Sequence, residues 1–341
     1  MTPLLVLAGA GLFAGLYDQT LGLLLPEIRS DFAFDLRFML TLGAIMAAVQ
    51  LLIAPLVGWV LDRVKRVRLL RIGVVIDAAS ALATATATGL PVLVGGRVGT
   101  GVGNSIAQPT AFPLLADSYP PKSRARVFTF VWMAGVLAQV LGPIVGGALG
   151  IAFGWRVAVL SLGVATSVVG IGAFLLREPR RGYEDKLAAG AGEETASREL
   201  PPVSWAESWR AARSVTTVRR LWYASPFLQL AGAALLPTLS IYYASQFGLT
   251  LQQRVVVAVT TGLVGVFALL LSGAVADRIL ADRPGRLMTL MGLMLVVQAG
   301  AVVVLAVSPN VWISVAVNVP LAFTSNLFAP ALLTLLSMTV P

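Results

Sequence analysis

The sequence predicts an all-α integral membrane protein, and three observations support that prediction. Hydrophobic residues make up 57% of the 341 residues and charged residues only 12%, whereas soluble proteins carry about 25% charged residues. Apolar stretches of about 20 residues, the length that crosses the hydrocarbon core of a bilayer, recur along the whole chain. A short motif is also repeated at equivalent places in two halves of the chain. The composition excludes a soluble globular protein.

Ten spans are predicted from these apolar stretches. Ser308-Pro309-Asn310 divides the last two spans, and Gly89-Leu90-Pro91 divides the third from the fourth, because such residues favour turns. The N-terminal stretch has no basic leading segment and no small-residue cleavage site, so it is predicted to be a span rather than a signal peptide. The predicted spans are 4–26, 38–61, 69–88, 92–116, 127–150, 156–176, 221–245, 255–276, 287–307 and 311–337.

Positive charge is concentrated on one side of these spans. The loops after spans 2, 4, 6 and 8 hold 20 of the 25 lysine and arginine residues. Basic loops stay in the cytoplasm, so the distribution predicts a multi-pass protein of a bacterial inner membrane with both ends cytoplasmic. The net charge of +9 therefore indicates topology, and we expect a lipid bilayer around the chain and no nucleic-acid partner.

The longest polar stretch divides the spans into six and four. Within it, Ser204 and Glu207 have the spacing of a capping box, and Trp205 and Trp209 lie one turn apart. This pattern predicts a short helix at the membrane interface, and an entry into span 7 is an equally good interpretation. We expect an N-terminal six-span bundle at 1–176, a cytoplasmic linker at 177–220 and a C-terminal four-span bundle at 221–341.

The repeated motif is Gly-x-x-x-Asp-Arg, and it stands at the end of spans 2 and 8. Basic residues follow both copies, and we interpret the two loops as conformational elements whose aspartate lies near the N-terminus of a neighbouring helix. Two parallel halves around a central linker predict a secondary transporter that rocks about a site in mid-membrane. The residues singled out are Gly58, Asp62, Arg63 and Arg66 in the first copy and Gly273, Asp277 and Arg278 in the second.

With this repeat, the chain resembles the major facilitator superfamily. The repeated unit is similar to that family's loop between spans 2 and 3, although Lys65 stands where a glycine is usual. Gly142-Pro143 followed by Gly146-Gly147 resembles the fifth-span motif associated with exporters and antiporters, and these residues most simply allow close helix contact and a bend. The resemblance implies transport of a small molecule by alternating access.

A narrower resemblance is to the spinster-like branch, whose eukaryotic members move lysophospholipids and sphingosine phosphate. It depends on Tyr17-Asp18, Gly101-Val-Gly103 and Glu178-Pro-Arg-Arg-Gly182. Branch members commonly have an arginine where this chain has Gln19 and a glutamate where it has Asn104. One positive and one negative group are therefore missing together, which puts the usual coupling chemistry in doubt.

Charged groups inside hydrocarbon are costly unless they face a cavity or a partner, so the few present are informative. Asp18 and Arg97 have similar depth in spans 1 and 4, and in the family fold both spans line the central cavity. We predict that Asp18 is the proton-coupling carboxylate, with a static Asp18–Arg97 pair as the alternative, and that Asp77 is structural. The other predicted cavity residues are Gln19, Asn104, Gln108, Gln229 and Asn318.

The resemblance also bears on the length of the chain. The family fold has twelve spans, and this sequence reaches Pro341 after ten. We therefore expect an incomplete four-helix second bundle that lacks the last two spans, as in a truncated coding region. Full transport would then require the missing spans or a compensating partner chain.

Cysteine and histidine are both absent, which excludes disulfides, thiolate or imidazole metal sites and histidine-based catalysis. A Gly-rich loop with a lysine, which would bind a nucleotide, is also missing, so we expect no enzyme activity, cofactor or metal. The leading hypothesis is proton-coupled export of an amphipathic or lipid-like small molecule. A drug or organic-acid proton antiporter and a non-transporting receptor or scaffold are the alternatives, and the oligomeric state stays open.

Overall fold

A computed structural model describes residues 2–197, 204–215, 219, 223, 238–282 and 284–339, and α-helices account for nearly all of them. Side chains are described for most of these residues, with the larger gaps at 273–288 and 328–339. The all-α prediction is confirmed, and each predicted span overlaps a helix. Of span 7, the described part is 238–247.

Helices of bilayer-crossing length alternate with short connecting helices. Five segments in the described part are long and apolar enough to cross a membrane, namely Thr2–Leu23, Thr41–Leu61, Pro121–Phe153, Trp155–Leu175 and Leu251–Ser272. The helices are α1 (Thr2–Leu23), α2 (Leu25–Phe32), α3 (Leu36–Leu61), α4 (Arg66–Ala85), α5 (Leu90–Ser118), α6 (Pro121–Phe153), α7 (Trp155–Ile171), α8 (Tyr183–Ala188), α9 (Glu193–Ser197), α10 (Trp205–Ser214), α11 (238–247), α12 (Leu251–Asp282), α13 (Pro284–Ala306) and α14 (Val311–Thr339).

Large apolar side chains cover the outside of the bundle. Leu52, Phe153 and Leu175 are among those that are more than half exposed. In water this surface would be unfavourable, whereas lipid tails solvate it well. The helices therefore present to the bilayer the surface that a soluble protein would bury.

Helix packing divides into two groups that meet along one contact. In the first group α1 packs against α6 and α7, and α4 packs against α5 and α7. In the second group α14 packs against α12 and α13. The two groups meet chiefly where α6 packs against α12. This arrangement leaves room for a cavity between α1, α3 and α5 on one side and α12 and α14 on the other.

Glycines allow the closest of these contacts. A Cβ at Gly103 of α5 would lie 2.7 Å from the backbone nitrogen of Asp77 in α4. A Cβ at Gly146 of α6 would lie 2.0 Å from Thr20 Oγ1 in α1. Only glycine permits such backbone approach, and in lipid close packing is what holds helices together.

The two ends of the bundle differ in charge. At one end, here called the α2 end, α1 runs into α2 and α12 begins. At the other, here called the basic-loop end, α3 gives way to α4 through a loop that contains Arg63, Lys65 and Arg66. The segment that follows α7 also lies at the basic-loop end, where Arg181 donates hydrogen bonds to the carbonyl oxygens of Leu61, the last residue of α3, and of Val64 in the loop.

The capping box predicted in the linker is confirmed. Ser204 Oγ accepts a hydrogen bond from the backbone N–H of Glu207, and Ser204 N–H donates to the Glu207 carboxylate over 3.1 Å. These hydrogen bonds lower the pKa of Glu207. Trp205 stacks on Trp209 and contacts Trp59 of α3 edge-on, with ring centroids 6.4 Å apart in the second pair. α10 therefore contacts the end of α3.

Candidate transport cavity

A cavity of about 620 Å³ lies between the two groups of helices. α1, α3 and α5 contribute one wall, and α11, α12 and α14 contribute the other. The volume lies within the range of pockets that hold small molecules. The polar and charged side chains that line it are Asp18, Gln19, Gln50, Arg97, Thr100, Asn104, Gln139, Ser240, Tyr243, Arg254, Thr261, Asn318, Ser325 and Asn326.

Asp18 and Arg97 meet in this cavity. Arg97 Nη1 lies 3.8 Å from Asp18 Oδ1, and Asn104 Nδ2 donates to Asp18 Oδ2 over 3.4 Å. The Asp18 side chain keeps 45% of its surface exposed and Arg97 keeps 23%. Both contacts to the carboxylate are long for hydrogen-bonded groups. The carboxylate is therefore held loosely and stays accessible to water or a ligand.

Helix periodicity places the α5 residues of this cluster. Arg97, Gly101 and Asn104 follow one another at steps of four and three, so they share one helical face. A Cβ at Gly101 would lie 3.4 Å from the end of Met46 and 3.7 Å from Gln50 Nε2, both on α3. Because Gly101 has no side chain, it leaves space in the cavity wall between Arg97 and Asn104.

The remaining predicted cavity residues have different positions. Gln19 lines the cavity and packs against α6. A Cβ added at Gly142 of α6 would lie 2.6 Å from the Cβ of Gln19. Asn318 also lines the cavity, but it is 4% exposed and donates to Thr261 Oγ1 over 3.4 Å. Gln229 lies outside the described residues.

The placement of Gln108 in the cavity is wrong for the structure as described. Its side chain is exposed and does not belong to the cavity lining. It shares a helical face with Asn104 but lies one turn further along α5, about 6 Å at 1.5 Å per residue. That turn carries it past the cavity wall, which shared periodicity alone could not reveal.

Two amides that were not predicted join the two groups of helices across the cavity. Gln139 Nε2 of α6 donates to Asn326 Oδ1 of α14 over 3.1 Å, and both residues line the cavity. Asn326 Nδ2 in turn donates to the carbonyl oxygen of Ala322 over 2.9 Å. Gln139 stands alone in an apolar stretch of the sequence, and Asn326 follows Thr324 and Ser325 in another. Such isolated polar residues are the signal by which the pair could have been found.

The α2 end of the cavity is closed by a buried arginine. Arg254, at the start of α12, is 4% exposed and forms an ion pair with Glu27 of α2. Its Nη1 donates to the carbonyl oxygen of Leu23 and to Ser240 Oγ, each over 2.8 Å. Arg254 is one of the five basic residues outside the basic loops, and a lone arginine beside a long apolar span was a signal for burial.

At the basic-loop end, charged groups tie α4 to α5 and to the segment after α7. Arg66 pairs with Asp117 and donates to the carbonyl oxygen of Pro113 over 3.0 Å. Glu178 accepts from the backbone N–H groups of Arg66 and Val67 over 2.6 and 2.8 Å. A carboxylate at a helix N-terminus is favourable for both the hydrogen bonds and the helix dipole.

The structure describes the first copy of the repeated motif and only part of the second. Asp62 was predicted to face a helix N-terminus, but at α4 this position is held by Glu178, and Asp62 accepts from Arg181 with its carbonyl oxygen. Arg63 donates to the carbonyl oxygen of Trp59 over 3.1 Å. Gly58 has an open space where a Cβ would stand. In the second copy Gly273 lies in α12, and the side chains of Asp277 and Arg278 lie outside the described residues.

The fifth-span motif lies where α6 meets α1 and α12. Gly142 accepts a hydrogen bond from Thr20 Oγ1 over 3.1 Å, and Gly146 packs on the same threonine. A Cβ at Gly147 would lie 2.3 Å from Val255 of α12. Pro143, inside α6, lines the cavity. The motif is thus placed at the contact between the two groups of helices.

Within the described residues, no group of three or more histidine, cysteine, aspartate or glutamate side chains could hold a metal ion. The described lining offers the contents of the cavity the Asp18–Arg97 pair, the buried Arg254, several amides and hydroxyls, and apolar side chains. Such a mixed lining can bind a small molecule.

Comparison with known proteins assigns the chain to a family. The family model described as Major Facilitator Superfamily matches residues 7–341. The "Multidrug resistance protein B homolog" of Mycobacterium tuberculosis is 33% identical over 141 residues, 41% of this chain and 26% of that protein. A "Triacylglyceride transporter" of Mycolicibacterium hassiacum is 40% identical over 92 residues, 27% of this chain and 17% of that protein. The chain thus matches only a minor part of the length of both relatives.

A solved structure agrees with the fold. A bacterial homologue of the human lysosomal transporter spinster, in an inward-facing and unoccupied conformation, matches with a TM-score of 0.73 at 20% identity. The match covers 97% of this chain and 74% of that chain. At this identity the likeness concerns the fold alone.

Proposed function

Since the chain belongs to the major facilitator superfamily, whose members are membrane transporters, we propose that it is a secondary active transporter that exports an amphipathic small molecule in exchange for protons. The observation that supports this most is the cavity between the two groups of helices. One wall carries a loosely held carboxylate, and the opposite wall carries amides and hydroxyls. Such a site suits rocking of two halves about a bound molecule.

Asp18 is the proposed proton-coupling group. Its carboxylate is partly exposed to the cavity and is shared between Arg97 at 3.8 Å and Asn104 at 3.4 Å. A proton on Asp18 would remove its charge and leave the guanidinium of Arg97 without a counter-charge. The protonation state of one residue would thus change the field over the whole cavity, which is the property that a coupling site requires.

The lining of the cavity favours an amphipathic cargo. Apolar side chains from α2, α3 and α5 line one wall toward the α2 end, and Asp18, Gln50 and Asn104 lie further along that wall. An elongated molecule with one polar end would match both regions. The matches to a protein named as a triacylglyceride transporter and to the fold of a spinster homologue support a lipid-like cargo. The apolar group consists of Ile28, Phe34, Phe38, Leu42, Met46 and Leu93.

The proposed orientation places the basic-loop end in the cytoplasm of a bacterium and both termini on the same side, because basic loops remain inside. The proposed halves are 1–176 and 221–341, joined by a linker at 177–220. The proposed membrane is the inner membrane. The match to a Mycobacterium tuberculosis protein supports a bacterial context.

A drug or organic-acid proton antiporter is the second candidate. It is favoured by Arg97, whose buried Nη1 has no hydrogen-bond partner among the described residues and would suit a carboxylate. The relative named as a multidrug resistance protein supports the same reading. A receptor or scaffold derived from a transporter is the third candidate and would bind without moving its ligand.

Counterflow in proteoliposomes separates these candidates. The purified chain is reconstituted and loaded with each member of a panel that contains a monoacylglycerol, a lipophilic amine and a small organic acid, with and without a pH gradient. We expect saturable, gradient-dependent flux of the monoacylglycerol. Flux confined to the amine or the acid would favour the second candidate, and binding without flux would favour the receptor.

A further inference from the structure

We propose that Gln139 and Asn326 form an amide clasp that selects the cargo by hydrogen bonding to an uncharged polar group, such as an ester or a hydroxyl. This inference rests on the proposed function, because it concerns the ligand of the same cavity. It names two residues that determine specificity and the chemical class of the group that they bind.

The clasp has unused hydrogen-bonding capacity at the cavity wall. Gln139 Nε2 uses one N–H for Asn326 Oδ1, and Asn326 Nδ2 uses one for the carbonyl oxygen of Ala322. A carboxamide provides two N–H donors and an oxygen with two lone pairs. Among the hydrogen bonds of the described residues, each amide therefore keeps one donor unused, and Gln139 keeps its acceptor oxygen. Donors and acceptors side by side match groups that both accept and donate, as hydroxyls do.

The backbone around the clasp is shaped to hold it. Pro143 has no N–H, so the carbonyl oxygen of Gln139 lacks the donor that an α-helix supplies four residues later. A Cβ at Gly262 of α12 would lie 2.8 Å from this oxygen. A Cβ at Gly265 would lie 2.7 Å from Asn326 Nδ2 and 3.1 Å from Gln139 Oε1. Two glycines one turn apart thus make the space in which the amides from α6 and α14 meet.

The charges around the cavity favour an uncharged partner for the clasp. Asp18 pairs with Arg97, and Arg254 pairs with Glu27. The Asp18–Arg97 pair is neutral, and Glu27 beside the cavity balances the charge of Arg254, so no described charge in the lining is without a counter-charge. An amide pair does not stabilise an ion enough to offset the loss of its hydration inside a membrane. An ester or hydroxyl loses much less hydration free energy than an ion when it leaves water.

The clasp also joins the part of the bundle before the linker to the part after it. Breaking its hydrogen bond without replacement would leave an N–H of Gln139 and the side-chain oxygen of Asn326 unpaired inside the membrane, which is unfavourable. A cargo that bonds to both amides removes that cost. Recognition of the polar group would therefore ease separation of α6 from α14 when the cavity changes its access.

Two probes that differ by one phosphate group test the proposal. 1-Oleoylglycerol carries an ester and two hydroxyls, and in oleoyl lysophosphatidate one of those hydroxyls is esterified with a charged phosphate. Affinities of both are measured by equilibrium competition on the purified 341-residue chain in mild detergent. We expect the wild type to prefer oleoylglycerol. Gln139→Leu and Asn326→Leu should each weaken that binding about tenfold, the effect of losing one buried hydrogen bond.

Controls distinguish recognition from general damage to the fold. Gln298→Leu makes the same change on α13, outside the cavity, and should leave both affinities unchanged. The exchange Gln139→Asn with Asn326→Gln keeps both amides and should restore the preference. Equal weakening of both probes, no weakening, or no preference in the wild type would each overturn the proposal. Because this is a binding assay, gradient-driven counterflow can succeed or fail independently of it.

Discussion

Asp18 is the proposed proton-coupling residue, and it should contribute little to stability. It lies 3.8 Å from Arg97, and nearly half of its side chain is exposed. Ion pairs this open contribute about 0–1 kcal/mol to folding. Removing the charge should therefore leave the fold intact and change only ligand binding in the cavity and its dependence on pH.

We predict that Asp18→Asn abolishes pH-driven accumulation and leaves gradient-independent exchange measurable. The asparagine keeps the shape and can still accept the hydrogen bond from Asn104, but it cannot carry a proton between the two sides. Initial rates of counterflow with and without a pH gradient measure this directly. Glu184→Gln, in α8 outside the cavity, is the matched control and should behave as wild type. A variant that still responded fully to the gradient would remove Asp18 from the coupling step.

The capping box gives a second prediction at this scale. Hydrogen bonds from Ser204 lower the pKa of Glu207, so the charged form stabilises the start of α10. The stabilisation is present above the usual carboxylate range and is lost as the pH falls through the lowered pKa. Amide hydrogen exchange across 205–214 should be faster in Glu207→Gln than in wild type at neutral pH. The difference should vanish at acid pH, and a difference that did not depend on pH would contradict the capping role.

At the scale of elements, close glycine contacts hold α6 to α1 and α5 to α4. Gly146→Val would force a methyl-bearing carbon into the space of Thr20, since even a Cβ would lie 2.0 Å from Thr20 Oγ1. Overpacking of this kind costs about 1–3 kcal/mol. We expect a lower thermal midpoint for the purified chain. Gly11→Ala is the control, because a Cβ there meets nothing within 4 Å, and a drop as large in that variant would argue against the contact.

The buried arginine at the α2 end gives a prediction about opening. Arg254 links α12 to Glu27 of α2 and to the carbonyl oxygen that ends α1. Removing the charge from Glu27 leaves a buried guanidinium without its counter-charge, which is unfavourable. Glu27→Gln should therefore populate states in which the α2 end is open.

Labelling measures that opening, because the chain contains no cysteine of its own. A single cysteine at Leu42, in the cavity lining, should react several-fold faster with an impermeant maleimide in Glu27→Gln than in the parent. Arg29→Gln alters a neighbouring contact of α2 to Phe34 and serves as control. Equal labelling rates in all three proteins would show that the ion pair does not close this end.

For the whole molecule, hydropathy predicted where the helices lie, but it gave little information on which helices contact one another. Each predicted span overlaps a helix because the bilayer imposes length and apolarity on each segment separately. Asp18, Arg97 and Asn104 were brought together by the family resemblance and by periodicity within one helix. The Gln139–Asn326 and Glu27–Arg254 contacts join residues 187 and 227 positions apart. No local pattern encodes which faces of two distant helices will meet.

The proposed function requires that the cavity open alternately at its two ends under the control of protonation. α6 and α12 join the two groups of helices, and Arg254 closes the α2 end in the structure described. Rocking about that contact would open one end as it closes the other. The ends should therefore move in opposite directions.

Pulsed electron paramagnetic resonance distances test this most directly. Spin labels go on Ser30 and Gln252 at the α2 end, and in a second protein on Lys122 and Gly292, all exposed residues. On acidification in lipid, we predict that the distance increases in one pair and decreases in the other, and that Asp18→Asn abolishes both changes. Distances that stay fixed at both ends, or that change equally in Asp18→Asn, would contradict alternating access controlled by protonation of Asp18.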